Sequence, residues 1–293
     1  MDDKGKDRSK QSVLVTGASS GIGKAIALGL DEIGFVVIAG VRREEDLRAL
    51  KSQATGRLRP IILDITRDDH LSAAAAIMDK ELGQTELVGL VNNAGICVTG
   101  PLEFVSRYAM QHQLDVNTIS QLAVIQTFLP FLRKSRGRVV NIGSTSGRIA
   151  ETFSGPYCAS KFALEAITAT LRLELEPSGI HVSIVEPGVV STALWDKVIV
   201  AEDKLVQSMP EEGRVRYGEK LKKRRARLVH FSDAGRSADN LLRAVTHALV
   251  STRPKDRYII GFDAKLRIAA VRVLPRNVRN WLAEARRGMT RSN

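Results

Sequence analysis

Seven short apolar runs, most of them separated by segments of helical periodicity, constrain the fold of this chain more than any other feature. The runs are QSVLVTG, GFVVIAG, RPIILDIT, ELVGLVNNAG, GRVVNIGS, GIHVSIVEPG and DRYIIGF. Their nearly continuous apolar character is typical of strands buried on both faces of a parallel sheet. The segments between them predict helices at 44–51, 68–82, 103–134, 156–176 and 237–250, besides one directly after the first run. This alternation predicts an α/β fold, a doubly wound parallel sheet of about seven strands with helices on both faces.

The same pattern predicts the organisation of the chain. We expect a polar tail over 1–11, a single domain over 12–262, and a basic, amphipathic, helical C-terminal extension over 263–293. The stretch 191–231 breaks the alternation where the chain leaves the carboxyl edge of the sheet. Ligands of open α/β sheets bind at that edge, so we expect this insertion to cover a substrate.

A glycine-rich turn, TGASSGIG, follows the first run and precedes the first helical segment. Gly17 would permit a tight turn, and Gly21 and Gly23 would let the backbone approach a pyrophosphate and the helix pack on the sheet. The helix N-terminus beyond would offer free N–H groups to that phosphate. In this strand–turn–helix context the turn predicts dinucleotide binding in a Rossmann-type domain; a merely structural turn is the alternative.

The end of the second run bears on which dinucleotide is bound. NAD sites commonly place an acidic residue there, whereas an arginine accommodates the 2′-phosphate of NADP. Here Val41 stands in the acid's place and is followed by Arg42 and Arg43. Arg42, with a hydroxyl from Ser19 or Ser20, therefore favours NADP(H), and NAD(H) stays open because both arginines could be solvated.

A tyrosine and a lysine stand four residues apart, just after a Gly-Pro pair. Residues at this spacing share one face of a helix, so Tyr157 and Lys161 would lie close together. A positive charge near a phenol favours its ionised form, and a lowered pKa would suit a general acid or base. Packing and solvation are the alternative roles.

These motifs together resemble the short-chain dehydrogenase/reductase family, most closely its branch of hydroxysteroid and retinol dehydrogenases. The resemblance runs from about residue 12 to 192 and continues more loosely to 262. It is carried by these elements in order: TGxxxGxG, the NNAG of 92–95, Asn117, Ser144, Tyr157-x-x-x-Lys161, and Pro187-Gly188 followed by Thr192.

The resemblance implies roles for individual residues. Tyr157 would be the general acid or base, Lys161 would also bind the nicotinamide ribose, Ser144 would polarise the substrate carbonyl, and Asn117 would hold a proton-relay water. Ser144 is preferred to Ser146 because the family's spacing to the tyrosine selects it. The implied cofactor contacts are Gly17, Ser19, Ser20, Gly21, Ile22, Gly23, Arg42, Asp64, Ile65, Asn93, Ala94, Gly95, Tyr157, Lys161, Pro187, Gly188, Val190 and Thr192.

Composition narrows the remaining possibilities. Cys97 and Cys158 lack CxxC spacing and the five histidines lack metal-ligand spacing, so we expect no disulfide framework and no metal site. We also expect neither a signal peptide nor a membrane-spanning run. These features suggest a cytoplasmic protein, and membrane association stays open.

The excess of basic over acidic residues lies in the last third of the chain. Lysine plus arginine balance the acidic residues through Val190, so the whole net charge of +12 lies in 191–293. The segments 220–227 and 264–282 are strongly basic, and the second mixes basic with apolar residues at helical spacing. Leu266, Ala269, Ala270, Val273 and Leu274 would form an apolar stripe that packs on the domain or a partner subunit, or else contacts an anionic membrane. No nucleic-acid module is recognisable, so we expect no nucleic-acid partner.

The expected activity is hydride transfer between NADP(H) and a hydrophobic secondary alcohol or ketone, such as a steroid, retinoid or fatty-acyl derivative. The resemblance also implies a homodimer or homotetramer built on the long helices before Ser144 and after Tyr157. An NAD-dependent dehydrogenase of the same family is one alternative. A catalytically idle dinucleotide-binding regulator or scaffold is the other.

Overall fold

The computed structural model describes residues 8–81, 85–188, 193–234 and 238–273. Its seven strands form one parallel sheet in the order β3-β2-β1-β4-β5-β6-β7. The strands are β1 Gln11–Val15, β2 Val36–Val41, β3 Leu58–Ile62, β4 Glu86–Asn92, β5 Arg138–Ile142, β6 His181–Pro187 and β7 Arg257–Ile260. The predicted fold class is therefore confirmed, and all seven apolar runs are strands.

Ten α-helices accompany these strands in the described ranges. They are α1 Gly21–Ile33, α2 Glu44–Lys51, α3 Asp68–Glu81, α4 Arg107–Leu114, α5 Ser120–Ser135, α6 Gly155–Leu175, α7 Ala193–Ser208, α8 Glu211–Ala234, α9 Asp239–Val250 and α10 Phe262–Val273. The helix expected over 103–134 is wrong as one element. A 3₁₀ turn at Leu102–Phe104 and a π turn at Asp115–Ile119 divide that segment.

Two apolar layers sandwich the sheet. On one face α1 and α9 pack against the strands through residues such as Ile26, Leu30 and Val245. On the other face α3 contributes Leu71 and Met78, and α5 contributes Phe128 and Leu132. Burial on both faces explains why the strands read as nearly continuous apolar runs.

The ends of the expected domain differ slightly from the sequence-based bounds. Strand β1 begins at Gln11. Before it, Arg8 is buried, and its guanidinium lies 4.5 Å from the ring centroid of Phe35. At the other end α10 begins at Phe262, directly after β7, and buries Ala264 and Ile268. The face of α10 that packs on the domain is not the predicted apolar stripe, because Leu266 and Ala269 of that stripe are exposed. Residues 274–282 lie outside the described residues.

Candidate functional site

The direction of strand order reverses between β1 and β4, which pair at the centre of the sheet. Such a reversal opens a crevice at the carboxyl ends of the strands. The glycine-rich turn enters this crevice after β1 and is tied to its neighbours by backbone hydrogen bonds, Thr16 N–H to the Val91 carbonyl at 3.0 Å and Ala18 N–H to the Gly40 carbonyl at 2.9 Å. The turn is thus part of the sheet's edge.

Two of its glycines leave no room for a side chain. Gly17 has a φ of +66°, and a Cβ there would lie 2.7 Å from the Ala94 Cα. A Cβ on Gly23 would lie 2.3 Å from both the Asn93 Nδ2 and the Gly17 carbonyl oxygen. The close approach of backbone to backbone therefore demands glycine at both positions.

Helix α1 begins at this turn with its first N–H groups facing the crevice edge. Ser20 is its N-cap in an extended conformation, and the Ser20 side chain makes no capping hydrogen bond within the described chain. An uncapped helix N-terminus carries a partial positive charge and donors suited to a phosphate. The turn, together with Ser19 and Ile22, therefore fits the pyrophosphate of a dinucleotide.

The two arginines after β2 differ in their surroundings. Both are exposed, but Arg43 caps α2 and binds Asp46 through its Nε at 3.0 Å and its Nη2 at 3.3 Å. Arg42 forms no ion pair with any residue that the structure describes. Of the two, Arg42 is the guanidinium available to a phosphate.

Asn93 joins the turn to the end of β4. Its side-chain Nδ2 donates to the carbonyls of Thr16 and Gly17, at 2.9 and 3.1 Å, and its own N–H donates to the Thr16 hydroxyl. The N–H of Ala94 donates to the same hydroxyl, while Gly95 is exposed. These contacts bring the NNAG segment against the glycine-rich turn.

The remaining expected cofactor contacts follow β3 and β6. Asp64 is partly buried and accepts from the N–H and hydroxyl of Thr66, and Ile65 is buried. Pro187 ends β6, and the Gly188 N–H donates to the Ile260 carbonyl. Val190 and Thr192 lie outside the described residues.

Ser144 and Tyr157 meet at the carboxyl end of β5. Ser144 follows the strand and accepts from the Ser146 N–H at 3.1 Å, while Tyr157 stands in the first turn of α6. Burial has a larger effect on the Tyr157 phenol than any neighbouring protein group has, and it raises the pKa of the phenol. A nearby Cys97 raises this pKa further, and a hydrogen bond with Ser144 lowers it. The expected lowering of the Tyr157 pKa by Lys161 is therefore not met by the protein's own residues.

Lys161 is buried one helical turn after the tyrosine. Its Nζ donates to the Ile142 carbonyl at 2.8 Å and lies 5.9 Å from the centroid of the Tyr157 ring. Burial lowers the pKa of Lys161 to about 8, against the opposing effects of Cys97 and Glu165. The ammonium thus titrates within reach of physiological pH.

Asn117 lies in the π turn and is fully buried. Its Oδ1 accepts from the Ile96 N–H at 2.8 Å, and its Nδ2 donates to the Ile96 carbonyl at 2.9 Å and to the Ser160 hydroxyl at 3.2 Å. Single-turn π-helices are often found at functional sites. The side chain links the segment after β4 to α6, beside Lys161.

Four charged side chains form a network of ion pairs that reaches the helix of Tyr157 and Lys161. Glu186, the residue before Pro187, is fully buried and contacts Arg257 and, at 3.8 Å, Arg148. Arg257 also binds Glu165 with two contacts of 2.9 and 2.7 Å. Because Glu165 stands one turn after Lys161, this network connects the ends of β5 and β6 with α6 and β7.

Helices α7 and α8, here called the lid, occupy the expected substrate-covering insertion. Leu205 packs against Gly100, and the Tyr217 ring makes edge contacts with Phe104 and Phe153, at centroid distances of 6.2 and 5.9 Å. These contacts place the lid over the loops that follow β4 and precede α6.

Sequence reasoning missed two lid residues, Arg224 and Glu202. They form a buried ion pair, although Arg224 belongs to a basic run whose other lysines and arginines are exposed. It also missed Cys97, whose thiol has its pKa raised by burial to about 12 and is therefore neutral. Only the alternation of charge along α7 and α8 could have hinted at the ion pair.

Two absences hold for the described ranges. They contain no group of three or more histidine, cysteine, aspartate or glutamate side chains that could hold a metal ion. None of their helices is long and apolar enough to cross a membrane.

Comparison with known proteins gives consistent matches. The family model described as short chain dehydrogenase matches residues 11–203. The 3-amino-tetrahydro-pyrrolizinone reductase of Xenorhabdus hominickii is 36% identical over 87% of this chain and 88% of its own. The mitochondrial D-beta-hydroxybutyrate dehydrogenase of Bos taurus is 36% identical over 85% and 76% of the two chains. Retinol dehydrogenase 16 of Mus musculus is 35% identical over 90% and 84%.

A solved structure agrees with the fold. A short-chain dehydrogenase from Streptomyces avermitilis superposes with a TM-score of 0.75 at 26% identity, covering 97% of this chain and 99% of its own.

Proposed function

The chain belongs to the short-chain dehydrogenase/reductase family, in its retinol dehydrogenase-like branch, and on this premise we propose that it transfers a hydride between NADP(H) and a hydrophobic secondary alcohol or ketone. Membership makes it an NAD(P)-dependent oxidoreductase acting on CH–OH groups. The observation that carries the finer proposal is the meeting of Tyr157 and Ser144 at the carboxyl end of β5, where the serine lowers the pKa of the phenol, with the Lys161 Nζ 5.9 Å from the centroid of the Tyr157 ring.

Tyr157 is protonated at neutral pH, so it can act as the proton donor in reduction. Because burial raises its pKa, this donation depends on neighbouring positive charge that stabilises the phenolate. In reduction, Tyr157 gives this proton to the substrate's carbonyl oxygen, and the Ser144 hydroxyl donates a hydrogen bond to the same oxygen. The nicotinamide, when bound, supplies the hydride to the carbonyl carbon. In oxidation the same groups act in reverse.

Lys161 and Asn117 support this proton transfer. The Lys161 ammonium stabilises the phenolate that forms when Tyr157 gives up its proton, since a nearby positive charge favours the ionised phenol. Asn117 holds the segment after β4 beside Ser160 and Lys161. We propose that its buried amide also positions the water through which Lys161 regains a proton from solvent.

The cofactor preference rests on Arg42. An arginine that has no carboxylate partner among the described residues can pair with a phosphate through two hydrogen bonds. In the proposed site the glycine-rich turn holds the pyrophosphate, Arg42 with Ser19 or Ser20 holds the 2′-phosphate, and Asp64 with Ile65 flanks the adenine. Asn93, Ala94 and Gly95 line the adjacent ribose, and Lys161 binds the nicotinamide ribose. Pro187 and Gly188, with Val190 and Thr192, hold the carboxamide.

The exposed apolar residues suggest partners. Ile119, Phe162 and Leu173 are exposed in the segment that holds the π turn and α6, which supports a homodimer or homotetramer built on the long helices. Phe262, Leu266 and Ala269 form an exposed stripe on α10, next to the exposed Lys265. This stripe supports contact with an anionic membrane. Sedimentation with phosphatidylcholine vesicles, with and without phosphatidylserine, tests the second proposal.

The deciding experiment follows nicotinamide absorbance with NADPH and with NADH against a panel of lipid-like ketones, for wild type and Tyr157→Phe. Turnover that prefers NADPH and is lost in the variant supports the proposal. Turnover that prefers NADH points to the NAD-dependent alternative. Cofactor binding without turnover of any ketone points to a regulator or scaffold, and turnover that survives in Tyr157→Phe contradicts the role of the tyrosine.

A further inference from the structure

The lid contains a buried ion pair at a position where apolar side chains could hold α7 and α8 together equally well. The side chains of Arg224 and Glu202 are only 11% and 3% exposed, and they join α8 to α7. A buried ion pair is seldom more stable than apolar residues of the same volume, because both charges must leave water. Its position therefore deserves a functional explanation.

The Arg224 guanidinium points toward the catalytic helix. Its Nη2 donates to the Ser154 hydroxyl at 3.1 Å. Ser154 is the residue before α6, and its carbonyl accepts from the Cys158 N–H in the first turn of that helix, at 2.8 Å. The charge of Arg224 also acts on the thiols of Cys97 and Cys158, and Cys97 in turn acts on Tyr157. The guanidinium therefore lies at the start of α6, on the residue three positions before Tyr157.

Its hydrogen-bonding capacity is only partly used. A guanidinium has five N–H donors in a planar fork. Arg224 directs Nη1 to Glu202 and Nη2 to Ser154, and its Nε makes no hydrogen bond to any residue within the described ranges. Donors therefore remain for a further acceptor.

The nearby charges leave room for an anion. The groups that act electrostatically on Arg224 or Cys97 are Arg227, Lys161 and Glu151, besides Glu202 in direct contact. Glu151 is itself paired with Arg267 at 2.6 Å. With Glu151 offset by Arg267, the cations Arg227 and Lys161 add to Arg224 against the carboxylate of Glu202.

We propose that Arg224 is the anchor for a carboxylate on the substrate, with Glu202 holding the guanidinium in position from behind. The substrate is then an oxo acid or hydroxy acid with an apolar chain. Its carboxylate binds Arg224 while its carbonyl or hydroxyl group meets Tyr157 and Ser144. In reduction the carbonyl carbon gains the hydride and the carbonyl oxygen gains the proton, and the carboxylate is unchanged. This inference rests on the proposed function of the same site.

The test compares straight-chain oxo acids with their methyl esters, which differ in charge but not in the reacting group. With wild type, kcat/KM is expected to be higher for the acids. Arg224→Met should lower kcat/KM for the acids about 10- to 100-fold more than for the esters, as expected for the loss of a charged hydrogen bond. Any loss common to both substrates measures the effect of leaving Glu202 buried without its partner. Arg224→Lys, which keeps the charge but loses the planar fork, should fall between.

Arg225→Met is the matched control. Arg225 is the neighbour of Arg224 on α8 and also binds α7, through Asp203 at 2.9 Å, but this pair is exposed. Its loss should leave the kinetics of both substrates unchanged. If Arg224→Met lowers acids and esters equally, the residue only fastens the lid and the proposal is wrong. Wild-type preference for the esters would also overturn it.

A binding measurement separates this inference from the proposed function. The fluorescence of bound NADPH is titrated with a straight-chain carboxylic acid and with its primary amide. Stronger binding of the acid, lost in Arg224→Met but kept in Arg225→Met, supports the anchor even if no oxo acid is reduced. Equal binding of acid and amide to wild type contradicts it, whatever the outcome of the turnover assay.

Discussion

The Lys161 Nζ donates a hydrogen bond to the Ile142 carbonyl oxygen, 2.8 Å away at the end of β5. This bond holds the ammonium inside the protein, where the residue is only 5% exposed. Burial disfavours the charged form, and the pKa of Lys161 is lowered from 10.5 to about 8. The site therefore depends on a cation that is close to losing its proton.

This lowered pKa predicts how carbonyl reduction responds to pH. As pH rises through about 8, Lys161 loses the charge that stabilises the Tyr157 phenolate, so kcat/KM for reduction should fall. The arginine of Lys161→Arg keeps its charge to higher pH, so the decline in kcat/KM should shift to higher pH even if the overall rate is lower. A pH–rate profile of both proteins checks this, and an identical profile would show that another group titrates.

The same shift affects folding stability. The unfolded lysine keeps its proton up to about 10.5, so burial of the ammonium costs stability fully below pH 8 and progressively less between about 8 and 10.5. Replacement by the neutral Lys161→Met should therefore stabilise the protein more at pH 7 than at pH 10. Urea unfolding at both pH values measures the difference, and a gain that grows with pH would contradict the assignment.

Arg42 should determine the choice between NADPH and NADH. Arg42→Ala removes a charged hydrogen bond to the 2′-phosphate, so the KM for NADPH should rise about 10- to 100-fold while that for NADH stays constant. Arg42→Asp should invert the preference. Arg43→Ala is the control, because Arg43 is engaged with Asp46. Comparable efficiency with NADPH before and after the change at Arg42 would exclude the proposed contact.

Two helical glycines should respond oppositely to alanine. A Cβ at Gly218 of α8 meets nothing within 4 Å, so Gly218→Ala should stabilise by about 1 kcal/mol through helix propensity. At Gly23 the same methyl group would collide with Asn93 and the Gly17 carbonyl. Gly23→Ala should lower both the free energy of unfolding and the affinity for NADPH. Thermal unfolding and cofactor titration measure the two effects, and a stable, cofactor-binding Gly23→Ala would refute the close approach.

Arg257 should be essential to the buried charge network. Among the described residues, Arg257→Met leaves the fully buried Glu186 with Arg148 alone, at 3.8 Å, and should destabilise by about 3 kcal/mol. Lys223→Met removes an exposed pair with Glu219 and should cost at most about 1 kcal/mol. Urea unfolding of both variants tests this. Equal stability of the two variants would mean that Glu186 is protonated or otherwise satisfied.

The strands and the glycine-rich turn were predictable because their determinants are local. Val13 to Val15 read as a buried strand from their own side chains, and Gly17 marks a turn by its position after them. The break at Asn117 was not predictable, because the π turn follows from the binding of its amide to Ile96, 21 residues earlier. For the same reason Arg224 looks like one more surface cation until α7 brings Glu202 beside it.

The pKa of Tyr157 shows a different limit. The spacing to Lys161 correctly predicts that the two side chains are close, but it contains no information about how much protein surrounds the phenol. Burial exceeds the effect of every neighbouring protein group on Tyr157, so the protein's own residues do not supply the lowered pKa that is expected from Lys161 together with a cationic nicotinamide.

The strand order has a consequence for the synthesis of the chain. Strand β1 can pair with β2 as soon as both have left the ribosome, but its other edge belongs to β4, which begins at Glu86. At about 5 to 20 residues per second, translation takes several seconds to reach that strand after Val15. During this time an apolar strand edge stays unpaired on the nascent chain, and such edges promote aggregation. The strand order that creates the dinucleotide crevice therefore also leaves one edge of β1 exposed until β4 is synthesised, and chaperones can protect that edge during this period.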